Sequence, residues 1–177
     1  MIRVFPVRGG AGIPNDFSFV DTSNLRKHLG NDLLAPLGTP LLAVDNGIVR
    51  FATDPLGGNV ANLYADDGTR YYYAHLLRHE GVSGRRVRAG DVIGYIGMTG
   101  NAKGTVPHTH FEVHPANGAA VNPFSELQEA LARSTLSSSS VPGWLVPLAA
   151  IGITVLGGWA LLNYVAPVPQ RKARRVG

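Results

Sequence analysis

His108-Thr109-His110-Phe111-Glu112-Val113-His114 is the stretch whose reading decides the fold. Apolar Phe111 and Val113 alternate with His108, His110, Glu112 and His114, which predicts a β-strand. Residues i and i+2 of a strand share a face, so one face would carry three imidazoles and a carboxylate. Burying that much polarity is costly unless something pairs with it. A divalent metal meets the need, and imidazole with carboxylate suits zinc. An H-x-H pair alone is weak grounds. The rest of the inventory sharpens it, because all six histidines lie between His28 and His114 and the first opens His28-Leu29-Gly30-Asn31-Asp32.

Outward from that strand, the chain reads as short strands and turns. Leu41–Val44 and Ile48–Ala52 flank Asp45-Asn46-Gly47, and Asn59–Tyr64 and Arg70–His75 flank Asp66-Asp67-Gly68, a hairpin signal. Val87 to Gly97 is valine, isoleucine and glycine in short pieces. Pro36 and Pro40 forbid a helix over residues 33–40. Met1–Val7 is strand-like and residues 8–24 form a long loop. Closely spaced strands and 22 glycines predict a mainly β fold, a compact antiparallel sheet. After a turn at Asn117-Gly118, a short helix opens near Asn122-Pro123. Ser125 and Gln128 suit a capping box, and Phe124, Leu127 and Leu131 share an apolar face. That helix is expected to fade at Arg133 into a serine-rich linker over residues 134–143.

The absence of cysteine excludes disulfides, thiolate catalysis and cysteine-ligated zinc. The net charge of +4 resides in Arg171, Lys172, Arg174 and Arg175, since residues 1–140 hold twelve basic and twelve acidic side chains. The main domain therefore shows no electrostatic footprint for nucleic acid.

Three segments together resemble the lysostaphin-type (LytM-like) zinc endopeptidases of bacterial cell walls. They are His28-x-x-x-Asp32, Tyr73-Ala74-His75-Leu76 and Gly104-x-x-Pro107-His108-x-His110-Phe111-Glu112-Val113. Ala35-Pro36-x-Gly38-Thr39-Pro40, Val87-x-x-Gly90-x-x-Ile93-Gly94 and Val121-Asn122-Pro123 extend the likeness over about residues 4–131. The resemblance implies zinc held by His28, Asp32 and His110, with His75 and His108 as catalytic histidines and a peptidoglycan peptide as substrate. Three protein ligands leave tetrahedral zinc one open position. One nearby imidazole then serves as general base and acid, and the other stabilises an oxyanion. Which histidine does which is left open by the sequence. Tyr71 and Tyr73 share the strand face of His75 and either line the groove or pack the sheet. Thr109, where the family carries leucine, is expected on the opposite face. Glu112 is expected to hydrogen-bond from a buried position, His79 to be a solvated loop residue, and His114 to be an exposed edge residue, with support of the metal ligands from behind as its alternative role. Wall-binding relatives without catalysis lose metal ligands, whereas all five site residues stand here. A lipoyl-like carrier, prompted by Gly90–Gly94, needs a lysine in an exposed hairpin, and Lys103 lacks the neighbours.

A second signal lies beyond the linker. No charged residue occurs between Arg133 and Arg171. Residues 144–165 are mostly apolar and about 33 Å long as a helix at roughly 1.5 Å per residue, enough for a bilayer core. Trp144 and Tyr164 suit its interfaces, and the basic tail within 166–177 places the C-terminus in the cytoplasm and residues 1–133 outside. Ala150, Thr154 and Gly158 form a small-residue row suited to helix self-association. The expected organisation is thus a zinc endopeptidase domain over 1–133, a linker, one transmembrane helix and a basic tail. Met1–Val7 lacks the apolar core of a secretory signal. Delivery is therefore expected through the C-terminal span alone, or in the membrane of a phage virion that uses the enzyme to breach the wall.

Overall fold

The computed structural model describes residues 1–21, 26–116 and 118–138. Eleven strands and one α-helix follow in order: β1 (Val20–Asp21), β2 (Arg26–Lys27), β3 (Asn31–Leu34), β4 (Pro40–Leu42), β5 (Gly47–Asp54), β6 (Gly58–Ala65), β7 (Arg70–Leu76), β8 (Arg78–His79), β9 (Arg85–Val87), β10 (Val92–Tyr95), β11 (His108–His114) and α1 (Phe124–Ser138). Six strands form one antiparallel sheet in the order β3-β11-β7-β6-β5-β9, and a smaller sheet runs β4-β10-β8. The expected mainly β, antiparallel architecture with one short helix is what forms.

Alternation builds the large sheet. Leu33, Val49, Leu63, Tyr71, Tyr73 and Phe111 all turn inward and are essentially inaccessible. They join Leu41, Ile93, the N-terminal Ile2 and Phe5, and Leu127 of the helix in one core. Each such large side chain contributes about 1.5–3 kcal/mol on burial. The Tyr73 hydroxyl is satisfied inside that core, accepting from Val44 N (3.1 Å) and donating to Leu42 O (3.0 Å). The Asp66-Asp67-Gly68 hairpin closes as expected, with Gly68 at φ 85° and Gly68 N donating to Ala65 O (3.0 Å).

The helix departs from expectation at both ends. It begins at Phe124, where Asn122 Oδ1 accepts the Phe124 N–H (3.0 Å), so Asn122 caps it rather than Ser125. It also continues past Arg133 through Ser138, because the Ser134 and Thr135 hydroxyls fold back onto the Leu131 and Ala132 carbonyls (2.7 and 2.8 Å) instead of opening the backbone. The helix is tied to the chain start by Ile2 N donating to Glu126 Oε2 (3.0 Å) and Arg133 donating to Ile2 O (2.8 Å). Among the described residues no helix is long and apolar enough to cross a membrane. Residues 144–165, the expected transmembrane helix, lie outside the described residues, as do the tail and Asn117 of the expected turn.

Candidate metal centre

The central strand β11 carries His108, His110, Glu112 and His114 on one face, while Thr109 is buried on the other with its hydroxyl on Ala74 O (2.9 Å). Register places His110 opposite Asp32 of β3. His28 reaches the same point because the chain between it and Asp32 lies directly on β11. A Cβ on Gly30 would fall 2.2 Å from Phe111 O, a distance only glycine avoids. As a result His28, Asp32 and His110 offer one ligand atom each within 4.8 Å of one another. His28 Nε2 lies 3.1 Å from Asp32 Oδ1, and His110 Nδ1 lies 2.8 Å from His28 Nε2 and 3.1 Å from Asp32 Oδ1.

The far side of each imidazole is also engaged. His28 Nδ1 faces Asp16 O at 3.0 Å, and His110 Nε2 faces Glu112 Oε1 at 2.9 Å. Glu112 in turn meets His114 Nε2 through Oε2 at 2.5 Å. His114 is therefore not an exposed edge residue but the outer end of a half-buried row leading to His110. Two imidazole nitrogens and a carboxylate oxygen aimed at one point, each ring fixed from behind by an acceptor, fit a divalent cation.

His75 and His108 stand beside this triad, their ring centroids 5.0 Å apart. His75 Nδ1 donates to Thr99 O (3.0 Å) and His108 Nδ1 to Val106 O (2.8 Å), which leaves both Nε2 atoms as acceptors. His108 Nε2 is 3.9 Å from Asp32 Oδ2. Both rings border one open cleft of about 670 Å³, lined also by Lys27, Leu29, Leu56, Asn101 and Thr105.

His75 has φ 63°, the left-handed region that residues bearing a Cβ avoid, and β7 shifts register against β6 between Asn59 and Ala61. The irregularity breaks the alternation of the strand. Tyr71 and Tyr73 stay in the core, 1% and 0% exposed, so neither lines the groove. Tyr72 does, together with Ala74 and His75. His79 also departs from expectation. It lies in β8 and stacks on Phe51, centroids 4.5 Å apart at 10°.

Charge and burial set the protonation states. Burial would raise Asp32, but hydrogen bonds from His110 and His28 hold it well below the usual carboxylate range. His28 is raised, chiefly by its hydrogen bond to Asp32. Burial opposes charge on His110, yet Asp32 and Glu112 outweigh it and push the ring up to about 9. Burial, aided by the neighbouring His108, pushes His75 down to about 4. Asp32 thus stays anionic between two imidazoles whose charged forms it favours, and His75 stays neutral beside them.

The sequence pattern points to His28, Asp32, His75, His108 and His110, and the structure brings all five to one cleft. It gives no sign of Asp16, Thr99 and Val106, whose backbone carbonyls orient three of the rings. Any residue offers a carbonyl, so side-chain identity carries no signal for that role. Tyr72 is hidden for another reason, since only the irregularity at His75 puts it on the groove side.

A mainly antiparallel sheet that presents His-Asp-His at the floor of an open cleft defines a metallopeptidase-like class of site. The chain belongs to peptidase family M23, whose family model matches residues 26–123. It is 41% identical over 101 residues to the DD-carboxypeptidase/endopeptidase Mpg of Neisseria meningitidis, covering 56% of this chain and 23% of that protein. To the peptidoglycan DD-endopeptidase ShyC of Vibrio cholerae it is 35% identical over 103 residues, 58% of this chain and 23% of ShyC. The chain thus spans about a quarter of the length of these relatives. Its fold matches the catalytic domain of the antimicrobial peptidase lysostaphin from Staphylococcus simulans with a TM-score of 0.59 and 30% identity, over 67% of this chain and 92% of that domain.

Proposed function

We propose that this chain is a zinc-dependent endopeptidase that hydrolyses peptide bonds in peptidoglycan and is held in a membrane by residues 144–165. The observation that carries the hydrolase reading is the convergence of His28, Asp32 and His110 within 4.8 Å beside two oriented imidazoles. His28 Nε2, Asp32 Oδ1 and His110 Nδ1 are the atoms that would hold the ion. When bound, zinc supplies Lewis-acid polarisation of a carbonyl oxygen.

The chain's own groups do the rest. His75 Nε2, free because Thr99 holds Nδ1, accepts the proton of the attacking water and returns it to the leaving amine. A low pKa keeps that lone pair available near neutrality. His108, its ring fixed by Val106 and 5.0 Å from that of His75, faces the same space as the second imidazole beside the metal position and is the group placed to stabilise the oxyanion.

The charge-free apolar run 144–165 and the basic cluster at Arg171–Arg175 support the anchor, with residues 1–133 outside the cytoplasm. The same features suit the membrane of a phage virion, and the small-residue row at Ala150, Thr154 and Gly158 suits pairing of the spans. Release of soluble peptides from purified sacculi, with and without a chelator, tests the function. The reading predicts release that the chelator stops, with product masses naming the bond. Absence of both release and bound zinc would favour a non-catalytic wall-binding domain of the same fold.

A further inference from the structure

The sheet face that bears the metal centre is uncovered well beyond the cleft. Backbone register fixes its rows. Glu112 of β11 pairs with Tyr72, Tyr72 with Asn62 of β6, and Asn62 with Arg50 of β5. The next row runs His114, Arg70, Tyr64, Ile48 and then Arg86 of β9. Directly paired residues share a face, so the site and these side chains form one continuous surface. Its far end is no plain strand surface but a hollow of about 410 Å³ lined by Ile48, Arg50, Tyr64, Ala65, Asp66 and Arg86. Tyr64 is 44% and Ile48 40% exposed.

The chemistry of this hollow is cationic and aromatic. Arg50 lies over the Tyr64 ring at 5.6 Å, and along the way Arg70 lies over Tyr72 at 5.9 Å while donating to Asn62 Oδ1 at 3.0 Å. Arg86 is bound to Asp66 at 2.7 Å, the single acid of the hollow. Among the described residues, Arg50 and Arg70 have no carboxylate partner. Positive charge is therefore in surplus, and the forked guanidinium of Arg50, steadied on an aromatic face, matches a carboxylate.

We infer that this hollow is an anchoring subsite for a carboxylate of the peptidoglycan peptide whose bond lies at the metal centre. The inference rests on the function proposed above. Distance supports it: strands lie about 4.8 Å apart, so three spacings put β5 roughly 14 Å from β11. With the two-residue step along the sheet from His110 to the row of Arg50, an extended peptide covers the path in roughly five residues. A substrate seated over His110 thus reaches Arg50 along the face without leaving the sheet, and its distal carboxylate meets Arg50 while Tyr64 and Ile48 pack its stem.

The test is co-sedimentation of the full chain with purified sacculi in the presence of chelator, so that no turnover occurs. Sacculi are used untreated, with carboxylates amidated, or stripped of phosphate-bearing polymers. Wild type is expected to lose about tenfold in affinity on amidated sacculi and nothing on stripped ones. The double variant Arg50→Gln/Arg86→Gln should bind untreated sacculi about tenfold more weakly and lose nothing further on amidation. Arg50→Lys/Arg86→Lys keeps the charge without the fork and should fall between. A Gln variant that binds like wild type, or one that still loses tenfold on amidation, would overturn the inference. Loss confined to stripped sacculi would reassign the hollow to a phosphate polymer and overturn it too. Peptide release by the metal-loaded wild type is scored separately, so failure of the hydrolase reading is not confused with failure of the anchor.

Discussion

At the scale of single residues, the site depends on what stands behind each ligand. Glu112 accepts from His110 Nε2 and so fixes the tautomer that points Nδ1 at the metal position. Glu112→Leu is expected to weaken zinc binding about 10–100-fold in a chelator competition, while Glu112→Gln, which keeps an acceptor, should retain most of it. His79 makes a different prediction. Burial lowers its pKa in the fold, so between its folded value and about 6.5 the unfolded chain binds more protons. Stability should therefore fall as pH drops from about 6.5 through that lowered value, and His79→Phe should flatten this slope in denaturant titrations between pH 7 and 5. The polar face of β11 was legible because imidazoles and a carboxylate are costly to bury unpaired, whereas His28 and Asp32 were reached only through the family resemblance. His79 was not legible, since its polar neighbours Arg78 and Glu80 hide a ring stacked on Phe51.

At the scale of elements, the segment that leads into β3 meets β11 at a contact that only glycine permits. The Gly30→Ala methyl would meet the Phe111 carbonyl. The substitution is expected to cost about 1–3 kcal/mol in stability and to weaken zinc binding as His28 is displaced, measured by unfolding and by chelator competition. Strand β11 matched its sequence pattern over His108–His114 because its period-2 signal is uninterrupted. Strand β7 did not. A single left-handed residue at His75 and a register shift reverse the parity of everything before it relative to the catalytic ring. Nothing in the side chains of Arg70–His75 announces that shift, since it arises from pairing with a strand ten or more residues away. The helix end was misjudged for a related reason. Serine and threonine read as linker, yet in place their hydroxyls bond to carbonyls one turn back.

At the scale of the whole molecule, residues 1–138 carry the core, the helix and the complete five-residue cleft. A fragment ending there is expected to fold and to release peptides from sacculi about as fast as the full chain in detergent. The full chain should float with liposomes and the fragment should remain in solution. The span proposed over residues 144–165 lies outside the described residues and rests on its length and its lack of charge, and that flotation experiment tests it. The most direct test of the central claim measures metal content and peptide release on the same preparations of wild type, His110→Ala and His75→Ala. The account predicts one zinc per chain with release in wild type, neither in His110→Ala, and in His75→Ala one zinc with release down about 10²–10⁴-fold. Release that persists in His110→Ala, or loss of zinc from His75→Ala, would contradict it.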